Sequence, residues 1–212
     1  NAREIFFSYV NSYVPWCLDI TMITYLINKG KNVDVKQENE NAWRNEKITI
    51  DEAKGVIRDY AEKNVLMNEI ITKEEKEKYI LDMDEYYTPL VEGGMMNMPT
   101  KGNIYDELIK NHKSWDNYSV AVMFLYLLKD MKLEESSAKI DFMKEYTNIL
   151  KGVILSIPNK RETADETIVT LKNKISNISR KEKKKISNLL IEDFKNPKNI
   201  KERRKTISTK RA

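Results

Sequence analysis

Pro158-Asn159-Lys160-Arg161-Glu162-Thr163-Ala164-Asp165-Glu166 places an arginine in a proline-led turn, two residues before a helix start. Thr163 and Glu166 have the spacing of a capping box, in which each side chain satisfies a backbone N–H of the other residue. Ile168 and Val169 open the apolar run behind them. An arginine at the mouth of such a turn can point back into the domain while the next helix leaves. That geometry calls for a partner carboxylate elsewhere in the chain.

The rest of the chain is written mostly in helical period. It has 212 residues, of which 41% are hydrophobic and 33% charged, with six glycines and five prolines. That length supports one large domain, or a domain with appendages, and enough apolar residue to bury a core. Residues 13–29 read as a turn and a buried helix. Residues 30–48, rich in Lys, Asn and Glu, read as a solvated loop. Thr49 and Glu52 form a second capping-box candidate, followed by Ala53, Val56, Ile57, Tyr60 and Ala61 on one helical face. Thr72 and Glu75 open a third helix, expected to end near Pro89, and residues 89–104 read as a loop. From Trp115 to Met131 the sequence is apolar nearly all round, as expected for the buried axis of a domain. Residues 137–156 form an amphipathic helix, the helix after Thr163 runs to about Ile178, and 181–194 is helical with a frayed or disordered end beyond it. The fold class expected is mainly α.

Cys17 is the only cysteine, which leaves no disulfide framework and no cysteine-based zinc site and points to a reducing, intracellular setting. No apolar run reaches the roughly 18–20 residues of a membrane span. Charge is uneven. Residues 170–212 carry fifteen Lys or Arg against four Asp or Glu, a net of +11, whereas the whole chain is +4, so residues 1–169 carry −7. An acidic body bears a basic tail.

Three segments resemble, in order, the later half of a eukaryotic-type Ser/Thr protein kinase C-lobe. Tyr13-Val14-Pro15-Trp16-Cys17-Leu18-Asp19 resembles the end of an activation segment, where an acidic residue closes the A-P-E motif. Asp116-Asn117-Tyr118-Ser119-Val120-Ala121-Val122 resembles the D-x-W/Y-S-x-G motif that opens the family's central helix, with Ala121 in place of its glycine. Pro158 to Glu166 resembles the N-P-x-x-R-x-T-A-x-E run before the last helix. The resemblance implies that Asp19 pairs with Arg161 and that Asp116 braces the backbone of a catalytic loop. It implies a C-lobe-like core over 1–29 and 113–178, a helical insertion over 30–112, and a basic helical or disordered tail over 179–212. Asp19 and Asp116 lie 97 residues apart, against a dozen or two in ordinary kinases. Irregular spacing of this kind resembles kinases of large DNA viruses, and the Lys/Asn/Ile-rich composition is similar to that of AT-rich viral or protist genomes.

The parts that phosphoryl transfer uses are missing from the sequence. It needs a strand lysine and Gly-rich loop on the phosphates, an Asp base with an Asn metal ligand, and a metal-binding D-F-G. Ile140-Asp141-Phe142-Met143 falls after the central helix and lacks the glycine, and His112 to Asn117 reads H-K-S-W-D-N with the wrong spacing. In the resembled family those parts precede the A-P-E region. The chain is therefore expected to hold no catalytic residue, no metal ligand and no cofactor, with ATP and magnesium relevant only to a full-length active kinase. The first functional expectation is the C-lobe part of a Ser/Thr protein kinase or pseudokinase, packaged in a virion. The alternative is a non-enzymatic helical scaffold, or a minor capsid or virion structural protein, with protein partners. Its tail would contact nucleic acid or another anionic surface through Lys183, Lys184, Lys185, Arg203, Arg204 and Lys205. Arg203-Arg204-Lys205-Thr206 also resembles a basophilic phosphorylation site with Thr206 as acceptor.

Overall fold

The computed structural model describes residues 13–28, 42–93, 99–130, 141–178 and 180–195. Every regular element among them is helical: α1 (Leu18–Asn28), α2 (Ile50–Lys63), α3 (Val65–Glu69), α4 (Lys73–Glu92), α5 (Lys101–Ile109), α6 (Trp115–Asp130), α7 (Asp141–Leu155), α8 (Ala164–Ser176) and α9 (Arg180–Lys195). Short 3-10 turns at Ala42–Asn45, His112–Ser114 and Pro158–Lys160 join them. None of the described helices is long and apolar enough to cross a membrane.

Local chemistry sets the helix starts. Complete capping boxes form at Thr49 with Glu52, Thr72 with Glu75, Thr100 with Asn103 and Thr163 with Glu166. Each leaves two fewer unpaired N–H groups at its helix end. The Thr100 box starts α5 inside the stretch expected to be loop, because Asn103 plays the part that Glu or Gln usually plays. The short α3 is capped by Asn64, whose side chain accepts from the N–H groups of Leu66 and Met67.

Pro89 does not end its helix. α4 continues to Glu92 and stops at Gly93, whose φ of 69° is the left-handed conformation that favours glycine. Proline's fixed φ suits a helix, so the cost is a lost hydrogen bond and local crowding. The buried faces of Tyr87 and Val91, on either side of it, hold the last turn against the core.

One continuous core joins the elements. α2 packs on α1 and α4, α1 on α5, and α6 on α7, with α8 against both α6 and α7. Leu18, Ile23 and Leu26 of α1, Ile57 and Tyr60 of α2, Tyr79 and Met83 of α4, Tyr118 and Leu125 of α6, and Ile154 of α7 belong to the same buried cluster. Residues 42–93 and 99–112, set apart in sequence as an insertion, therefore contribute side chains to the core shared by residues 13–28, 115–130 and 141–155.

The axial helix α6 departs from its expectation on one side. Tyr118, Ala121, Val122, Leu125 and Leu128 are buried, but Val120, Met123 and Leu127 are 44%, 59% and 40% exposed. Composition announces how apolar a helix is, whereas its neighbours decide how much of it is covered. Residues 30–41 of the Lys-, Asn- and Glu-rich stretch, residues 131–140, and the tail positions Arg203, Arg204, Lys205 and Thr206 lie outside the described residues.

Candidate functional site

The carboxylate that the turn at 158–166 calls for is Asp19. It sits in the first turn of α1, where the partial positive charge of the helix N-terminus favours an anion. Arg161 follows the Pro158–Lys160 turn in extended conformation, which releases its side chain inward. The two meet in a fork: Nη1 donates to Oδ2 at 3.0 Å and Nη2 to Oδ1 at 2.9 Å. Both side chains are fully buried. A planar guanidinium facing a carboxylate through two parallel bonds fixes angle as well as distance.

Other groups complete the shell. Trp115 donates its indole N–H to Asp19 Oδ2 at 3.1 Å. The Tyr118 ring faces the guanidinium, with 5.5 Å between Cζ and the ring centre. The Ser156 carbonyl accepts a longer bond of 3.4 Å from Arg161 Nη2. Arg161 Nε is buried with no hydrogen-bond partner among the described residues. Burial pulls the Arg161 pKa down, but the Asp19 charge outweighs it and holds the guanidinium protonated. Cys17, two residues before Asp19, has its thiol pushed up to about 12, first by burial and then by the Asp19 charge. It is an inert buried thiol and not a nucleophile.

The surrounding bonds draw three distant stretches of chain to one point. Ser119 donates its hydroxyl to the Pro15 carbonyl at 2.8 Å. Asn117 donates to the Glu162 carbonyl at 2.8 Å and to Thr167 Oγ1 at 2.9 Å. Tyr60 donates to the Trp16 carbonyl at 3.0 Å. Segments 13–19, 115–119 and 158–167 are thus fastened to one another by side-chain hydrogen bonds that none of them could make alone.

Of the positions singled out in sequence, Asp19 and Arg161 are brought together and Asp116 is not. Asp116 is exposed in the first turn of α6, while its neighbours Trp115, Asn117, Tyr118 and Ser119 make the contacts. Asn117, Tyr118 and Ser119 were legible as parts of a motif string and Trp115 as the start of the apolar helix, but their roles were not. A tryptophan N–H and a serine hydroxyl acquire partners only when other segments arrive. Lys183, Lys184 and Lys185 are exposed on α9. His112 is exposed and meets the Trp115 ring edge-on, with 6.5 Å between ring centres.

A cleft of about 650 Å3 opens between α4 and the end of α7, lined by Glu75, Lys78, Asp82, Glu85, Ser156 and Lys160 among others. Glu75 is already tied to Lys151 at 2.9 Å. Among the described residues no cluster of three or more His, Cys, Asp or Glu could hold a metal ion.

Comparison with protein-family models, curated proteins and solved structures finds no match to this chain.

Proposed function

We propose that this chain is the C-lobe part of a viral-type Ser/Thr protein kinase or pseudokinase, without catalytic activity of its own. The observation that carries the reading is the buried fork between Asp19 and Arg161, 142 residues apart in sequence. The resemblance named those two residues as partners from short strings alone. The convergence of Tyr13–Asp19, Trp115–Ser119 and Pro158–Thr167 around that fork supports it further. A buried pair of this kind does no chemistry. It fixes where the end of an activation segment meets the last helices, and removing one partner leaves a bare charge in the interior.

In this reading, nucleotide, magnesium and the catalytic loop belong to sequence N-terminal of the A-P-E-like segment. The decisive experiment compares the native gene product with the 212-residue chain for transfer of the ATP γ-phosphate to a generic basic substrate. Transfer by the former and none by the latter is expected for a kinase. Nucleotide-independent behaviour of both, with no kinase lysine, H-R-D or D-F-G encoded upstream, would reduce the protein to a scaffold.

The scaffold reading keeps one specific support. Arg180, Lys181, Lys183, Lys184 and Lys185 crowd the exposed start of α9, beside a body of net charge −7. A tail bound to nucleic acid would lose affinity steeply as salt rises, whereas salt-independent binding or none would remove that role.

A further inference from the structure

The cleft between α4 and the end of α7, at about 650 Å3, has the size of a ligand site. Its α4 wall extends from Glu75, which Lys151 of α7 holds, to Tyr86. That stretch covers roughly 16 Å of helix axis, a distance that an extended peptide crosses in about five residues.

Two features of the walls say what kind of molecule fits. Gly152 stands in the last turn of α7 and lines the cleft. A glycine weakens a helix, and inside one it usually has a packing or functional reason. Gly152 is not a left-handed cap, a conformation that Gly93 adopts among the described residues. Packing is not the reason either, since a Cβ at Gly152 would meet nothing within 4 Å. The missing side chain leaves the α7 wall open to close approach by another backbone. Ser156, one turn on, spends its hydroxyl proton on the Gly152 carbonyl at 2.6 Å. Its oxygen keeps lone pairs for an N–H donor.

The second feature is charge. Lys78, Asp82, Glu85 and Lys160 line the cleft, and none of their side chains has an ion pair or hydrogen bond among the described residues. Lys78 and Asp82 stand four apart on α4 and do not pair, although Lys73 and Glu77 do at the same spacing. The carboxylates repel a polyphosphate and the ammonium groups repel a polycation, which leaves a ligand carrying both signs. Half-buried Tyr86, Leu155 and Ile157 add apolar wall.

We propose that this cleft binds an extended segment of a partner polypeptide, about five residues long. A basic residue of the segment meets Asp82 and Glu85, which lie one turn apart, and an acidic residue meets Lys78 or Lys160. An apolar residue rests on Leu155 and Ile157, and the backbone passes over Gly152. A free amino acid would meet one pair of charges and leave most of the cleft uncovered. The α4 wall lies in the stretch that the kinase resemblance leaves out, so the proposal does not rest on that reading.

The test presents an array of random six-residue peptides to the full 212-residue chain and measures the selected peptides in solution by fluorescence anisotropy. Selected sequences should combine a Lys or Arg, an Asp or Glu, and an apolar residue. Gly152→Leu puts a side chain into the cleft. It should leave the circular dichroism intact and the melting temperature no lower, and raise Kd about tenfold or more. Asp82→Lys combined with Glu85→Lys should weaken the same peptides, and changing the peptide's basic residue to Glu should restore affinity for that variant. Selection of purely acidic or purely basic peptides overturns the proposal, as does no selection at all. Affinity that ignores Gly152→Leu overturns it too, and so does displacement of the peptide by an equal concentration of a free amino acid.

Discussion

The hydroxyls of Tyr60 and Tyr118 lie 2.6 Å apart in the interior, one carried by α2 and the other by α6. Tyr60 also donates to the Trp16 carbonyl, so this pair links residues 50–63 to the segment that leads into Asp19. A stretch that reads in sequence as an insertion is thereby bonded to the centre of the domain. Tyr60→Phe should cost about 1–3 kcal/mol, because it removes one hydroxyl and strands two polar groups in a buried site. Urea unfolding of the wild type should show one transition. Two transitions would mean that residues 42–112 fold as a separate unit.

Arg161→Met should destabilise the fold by about 3–5 kcal/mol, since Asp19 would keep its burial and lose its counter-charge. Asp19→Leu should cost a similar amount. The double variant should be markedly less damaged than the sum of the two, which a double-mutant cycle in denaturant reads directly. Additive losses would mean that the fork contributes nothing beyond its separate side chains.

Two glycines should respond oppositely to alanine. A Cβ at Gly102 would stand 3.0 Å from both Cβ and the carbonyl oxygen of Arg44. Arg44 is itself packed over the Trp43 and Tyr105 rings and cannot readily yield. Gly102→Ala should therefore cost about 1–3 kcal/mol. A Cβ at Gly55, on the exposed side of α2, meets nothing within 4 Å. Gly55→Ala should stabilise by roughly 0.5–1 kcal/mol through a stiffer unfolded chain and better helix propensity. Thermal melts of the two variants provide the comparison.

Alkaline pH should unfold the protein cooperatively. Burial raises Cys17 from 9.0 to about 12, and raises Tyr60, Tyr79, Tyr87 and Tyr118 above their ordinary 10.0. The folded state therefore holds protons that the unfolded chain releases first. The stability from these groups is complete below about pH 9 and falls as pH rises toward the folded values. The denaturation midpoint should be flat through neutrality and decline above that point, with ultraviolet tyrosinate absorbance appearing together with unfolding. Tyrosinate formed well before loss of helix would contradict the burial of these rings. At the acid end the sign reverses. Burial pushes Glu75 up, but the Thr72 N–H and Lys151 pull it further down, so its contribution is present above 4.5 and lost as pH falls.

Much of the local structure was legible because its causes lie within three or four residues. Thr49 with Glu52, Thr72 with Glu75 and Thr163 with Glu166 specify helix starts by their own hydrogen bonds, whatever packs around them. Pro89 misled because a proline's cost in a helix is finite, and the burial of Tyr87 and Val91 offsets it. The Thr100 start was missed because its partner is Asn103 rather than an acid.

The chain's residues by themselves determined that it is helical, where most helices begin, that an acidic body carries a basic end, and that Arg161 stands at a turn with need of a carboxylate. Only the tertiary structure decided that Trp115 joins the buried pair, that Tyr60 reaches Trp16, and that one side of α6 faces solvent. The reason is physical. Capping and periodicity are short-range and act through the chain, whereas the partner of a buried charge and the cover of an apolar face are set by which distant segments pack together.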